Sequence, residues 1–139
     1  MYKFVVRLVP ERMLMGPNGE KFIATHYACK LGRKIGLKPY EIAVSDKEPK
    51  KYRGAIVAHE ISELWALNNQ FLCPRLKYLA DKYKLTPHEV GGVESVLQLY
   101  LFRQPVADFW MRYRNFDYYY VMSILNNEGI CLNCPYWYV

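Results

Sequence analysis

The sequence predicts an α+β domain, and three observations carry that prediction. Strand-like segments gather near the start: "YKFVVRLV" (Tyr2 to Val9) is rich in β-branched and aromatic residues and stops at Pro10, while "YEIAVS" (Tyr40 to Ser45) alternates after Pro39. From Ala55 onward, apolar residues recur at helical spacing in segment after segment. The 139 residues are 52% hydrophobic and 23% charged, a balance that builds one packed core and excludes a disordered chain. A small N-terminal sheet with a mainly helical remainder is therefore expected.

The elements follow in order. "GPNGE" (Gly16 to Glu20) is a turn signal. "KFIATHYACKLGRKIG" (Lys21 to Gly36) has Phe22, Ile23, Tyr27, Ala28, Leu31 and Ile35 at helical spacing, with basic residues and a glycine at its end, which predicts a helix. "DKEPKKYRG" (Asp46 to Gly54) reads as a charged loop. Ala55 to about Asn69 reads as a helix that buries Val57, Ile61, Leu64 and Trp65. Pro74 opens the next helix, with Leu76, Leu79, Ala80 and Tyr83 on one face. The start of the following one is marked more strongly: Thr86 as N-cap, Pro87 as first helical residue and Glu89 as capping-box partner. Helices are also expected in "VADFWMRYRNF" (Val106 to Phe116) and in "DYYYVMSILNNEG", which ends at Gly129. The reading is a single domain over residues 1–139.

One helix carries chemistry. In "YRGAIVAHEISELWAL" (Tyr52 to Leu67), His59, Glu60 and Glu63 spell H-E-x-x-E. Residues four apart share a helix face, so His59 and Glu63 can grip one metal ion. Glu60 is turned by about 100°, beside such an ion and free to move a proton. Two protein ligands are too few for a catalytic zinc, and a third must come from elsewhere. Two further histidines exist, His26 and His88. His88 opens a separate helix, and Gly91 and Gly92 follow it on the same face, as a close approach of another backbone would need. The bland alternative is an amphipathic helix with Glu60 and Glu63 on its wet side and His59 in its core.

"YRGAIVAHEISE" followed by "KYKLTPHEVGGVE" resembles small zincin-like metallopeptidase domains found in phages and archaea. There, an H-E-x-x-E helix is followed some tens of residues later by a motif of the A-H-x-x-A type that supplies the last histidine. The resemblance spans about residues 40–94, within a zincin-like core of about 40–103, and leaves 105–139 as a helical extension. It implies one zinc ion held by His59, Glu63 and His88, with Glu60 as general base and acid, and a peptide or protein as substrate. It also implies that "YEIAVS" is an edge strand holding an extended peptide. Pro87 and Gly91 depart from the pattern, which has small alanines there.

Two other groupings invite a reading. His26-x-x-Cys29 and Cys131-x-x-Cys134 together offer four soft ligands for a second, structural metal. Against it, His26 and Cys29 fall in a predicted helix rather than a knuckle turn. A disulfide between Cys131 and Cys134, or plain thiols, are the competing readings.

A net charge of +6 suits an acidic partner such as nucleic acid, with Lys30, Arg33, Lys34, Arg112 and Arg114 as the candidate contacts. Arg112 and Arg114 alternate with aromatic rings that could stack on bases, although an inward-packing amphipathic helix explains them more simply. No run approaches the ~20 apolar residues of a membrane span, and "MYKFVVRLVPERM" lacks the apolar region of a signal peptide, so an intracellular, cytoplasmic protein is expected. Three functional readings result: a zinc-dependent hydrolase, a basic nucleic-acid-binding or interaction protein without catalysis, and a degenerate zincin whose metal is structural.

Overall fold

A computed structural model describes residues 3–101, 106–113 and 118–129. It is an α+β structure with strands β1 (Val5–Val9), β2 (Ala24–His26) and β3 (Glu41–Ser45), and helices α1 (Lys30–Lys34), α2 (Lys50–Leu67), α3 (Pro74–Tyr83), α4 (Pro87–Leu101), α5 (Val106–Arg112) and α6 (Tyr118–Asn127). A short 3-10 turn, Glu11–Leu14, follows β1. No helix among the described residues is long and apolar enough to cross a membrane.

The sheet order is β1-β3-β2. β3 pairs in parallel with β1, Val5 opposite Glu41, and antiparallel with β2, Thr25 opposite Ala43. The segment "YEIAVS" is thus the centre of the sheet, which corrects its expected place at an edge. Ile42, Ala43 and Val44 are fully buried, as a strand with neighbours on both sides requires. The edges are β1, which exposes Val5, Val6 and Leu8, and β2.

The helix expected over Lys21 to Gly36 forms only at its end. Ala24–His26 pairs with β3 instead, and α1 keeps five residues. The chain turns between them: the Ala28 N–H donates to His26 Nδ1 at 3.2 Å and the Cys29 N–H to the His26 carbonyl at 3.1 Å. Gly32 lets α1 fold back, since a Cβ there would stand 2.0 Å from the His26 carbonyl oxygen. Helical spacing lost to strand pairing because the partner, β3, supplies hydrogen bonds and burial that no local pattern reports.

α2 begins at Lys50, within the stretch expected to be a loop. Its first turn is packed: Tyr52 is buried with its ring 5.5 Å from Phe109 and 5.9 Å from Tyr113. α4 runs against α2, where the buried Ser95 hydroxyl donates to the Ala55 carbonyl at 2.8 Å. Its start is capped as expected: the Thr86 N–H donates to Glu89 Oε1 at 2.8 Å and the Glu89 N–H to Thr86 Oγ1 at 3.2 Å. Among the described residues the larger buried cluster draws on β2, β3 and α2 to α6 and holds Ile42, Ile56, Leu79, Val93, Phe109 and Leu125, while Val9, Leu14 and Ala43 form a smaller one.

Candidate metal centre

The middle of α2 faces the sheet on one side and α4 on another, and that position buries polar residues. His59 is 3% exposed and Glu60 7%. Glu60 therefore does not lie on a wet face, and the bland reading of α2 fails on this point. Glu63, one turn after His59, reaches the rim of the buried zone.

Glu63 is the hub. Its Oε2 lies 3.7 Å from His59 Nε2, and its Oε1 lies 3.7 Å from His88 Nδ1 on the first turn of α4. The two imidazoles meet edge to face, with ring centres 4.9 Å apart. Donor atoms of His59, Glu63 and His88 all fall within 4.8 Å of one another. Ligands at about 2.1 Å from a tetrahedral zinc stand about 3.4 Å apart, so small side-chain adjustments would close this set on an ion. The donor types, two imidazole nitrogens and a carboxylate, suit zinc.

Gly91 makes the approach of α4 feasible. A Cβ at that position would stand 2.8 Å from both Nδ1 and the carbonyl oxygen of His59. Gly92 has no such role, its Cβ position lying 3.4 Å from a Val121 methyl.

Electrostatics separates the two carboxylates. Burial pushes the Glu60 pKa up to about 8, with the Glu63 charge adding to the shift. Burial also works to raise Glu63, but His88, His59 and His26 around it outweigh that and hold it below the usual carboxylate range. His59 is pushed down to about 4, first by burial and then by the neighbouring imidazoles, against the pull of Glu63. The Glu63 carboxylate raises His88, whose side chain is 57% exposed.

His26 enters from β2, fully buried, with Nε2 3.8 Å from Glu63 Oε2 and 3.2 Å from Cys29 Sγ. Donor atoms of His26, Glu60 and Glu63 form a second trio within 4.8 Å of one another. The sequence predicts a helix around His26, and pairs it with Cys29, which does lie beside it, as one half of a possible structural metal site. The predicted helix is a strand here: His26 lies on β2 at the H-E-x-x-E helix, and a three-residue strand leaves no alternation by which this could have been seen. Cys131 and Cys134 lie outside the described residues, and so does Arg114.

The centre opens on a cavity of about 800 Å³, lined by His59, Glu60 and His88 on one side and by residues leading into β2 on another. Arg112 and Tyr113 also line it. The Tyr113 hydroxyl donates to the buried Glu48 carboxylate, and Arg112 Nε lies 3.4 Å from the same oxygen. Arg112 is thereby tied into a charge pair on the cavity wall. Lys30, Arg33 and Lys34 are exposed on α1, and Arg33 donates to the Ala28 carbonyl at 2.8 Å.

Searches of protein-family models, curated proteins and solved structures find no match to this chain.

Proposed function

We propose that the chain is a metal-dependent hydrolase, with zinc as the ion and peptide bonds as the substrate, in the manner of zincin-like metallopeptidases. The observation that carries this reading is Glu63 held between His59 and His88, with the buried Glu60 next to His59 on the wall of the same cavity. The H-E-x-x-E motif and the later His88, which resemble the ligands of those peptidases, support it. A zinc ion bound there would polarise a scissile carbonyl and lower the pKa of a bound water.

Glu60 is the proton carrier in this reading. Its carboxyl holds a proton far above the usual carboxylate range in the metal-free protein, while Glu63 is ionised. A cation bound beside Glu60 would lower its pKa and release the proton, so that with Glu63 as ligand the Glu60 carboxylate could take a proton from the bound water and return it to the leaving amine. Phe22, Ile23 and Ala24 line the cavity opposite His59 and His88 and would flank a peptide bound there.

Elemental analysis tests the reading. Protein purified without chelator should carry about one zinc per chain, lost in His59→Ala and in His88→Ala. Glu60→Gln should keep the zinc and lose peptide hydrolysis by roughly 10²–10⁴-fold. Zinc-free protein sinks the proposal. A Glu60→Gln variant as active as the parent removes Glu60 from its role, and zinc without any hydrolysis points to a structural ion.

A further inference from the structure

The second trio, His26, Glu60 and Glu63, looks like a second metal site, but the proton on His26 argues otherwise. His26 Nδ1 accepts the Ala28 backbone N–H at 3.2 Å. A ring nitrogen that accepts carries no proton, so the neutral imidazole bears its single N–H on Nε2. Nε2 is the atom turned toward Glu63 Oε2 and Cys29 Sγ, 3.8 and 3.2 Å away. A metal ligand needs an unprotonated nitrogen, and the only one on this ring is turned to the backbone.

We propose that His26 is a positioning residue for Glu63, a donor that orients the carboxylate through Nε2–H while His59 and His88 complete the ligand set. Ligating carboxylates are commonly held by hydrogen bonds of this kind. Shortening the gap to the usual N–H···O length of about 3.0 Å takes a Glu63 adjustment of under about 1 Å. The fold keeps the imidazole in place for this. His26 is fully buried, its ring is fixed by the Ala28 N–H, and Gly32 lets α1 close over the end of β2. The Cys29 thiol shares the same N–H as a weak acceptor.

This inference rests on the proposed metal reading, and two measurements keep their failures apart. Zinc affinity is read by competition with a chromophoric chelator. His26→Phe, which removes the donor but keeps a ring, should still bind one zinc, about 10–100-fold more weakly. His26→Gln, which restores an N–H at similar reach, should recover most of that loss. Thermal melts of the metal-free variants separate this from packing, because a purely structural residue would move the melting temperature and leave affinity unchanged. Loss of zinc as complete as in His59→Ala would make His26 a ligand and overturn the proposal, and so would an unchanged affinity in His26→Phe.

The second measurement uses no metal. Nitrogen-15 NMR of the imidazoles in the zinc-free parent chain should find His26 in the Nε2–H form. The Nδ1–H form would overturn the proposal. If the parent chain binds no zinc, the metal reading fails on that ground, and the tautomer alone decides whether His26 is placed as a donor.

Discussion

Gly91 stands directly against His59: a Cβ at position 91 would come within 2.8 Å of the imidazole Nδ1 and of the His59 carbonyl oxygen. The close packing of α4 on α2 depends on that missing atom, and with it the meeting of His88 with Glu63.

Gly91→Ala is therefore expected to destabilise the chain although alanine is the better helix former. The propensity gain is about 1 kcal/mol, while overpacking of this kind costs about 1–3 kcal/mol. Zinc affinity should fall as well, because His88 rides on α4. Gly92→Ala is the control: its Cβ meets a Val121 methyl at 3.4 Å, and stability should be unchanged or rise by up to about 1 kcal/mol. Urea melts and chelator competition on both variants check this, and equal behaviour of the two would contradict it.

The Thr86–Glu89 capping box holds the turn that bears His88. Thr86→Ala should cost about 1 kcal/mol and weaken zinc binding, whereas Thr86→Ser should restore both. A Thr86→Ala protein that melts like the parent would show that the cap does not anchor this turn.

The metal-free protein should lose stability as pH rises from about 6.5 to about 8. Glu60, raised from 4.5 to about 8, keeps its proton in the folded chain after the unfolded chain has released it. The folded state then binds more protons, and stability falls with pH across that window by up to about 1.4 kcal/mol per unit. His59, lowered from 6.5 to about 4, acts with the opposite sign, but only between those values. The raised His88 adds to the fall above 6.5. Denaturant melts in chelator at several pH values should find the slope, and Glu60→Gln should flatten it. A slope unaffected by Glu60→Gln would mean that Glu60 is not the group responsible.

Legibility from sequence divides along the range of the interactions concerned. The start of α4 was readable residue by residue, because Thr86, Pro87 and Glu89 lie within one turn and cap one another. The face shared by His59 and Glu63 was readable for the same reason: the helix itself sets their spacing. Gly91 was readable as a place of close approach, though not as the residue that admits the ring of His59. The start of α2 was misread because Tyr52 finds its partners, Phe109 and Tyr113, more than fifty residues away.

By itself, then, the sequence determined the α+β composition, the start of α3 at Pro74, the capped start of α4, and the donor face of α2, all properties of residues within a turn or two of one another. Tertiary structure alone decided that Lys21 to Gly36 would yield a strand, that β3 would be central, that Glu60 would be buried, and that His26 would face Glu63. The physical reason is that strand pairing and desolvation depend on partners distant in the chain. A local pattern carries no record of what will lie opposite it.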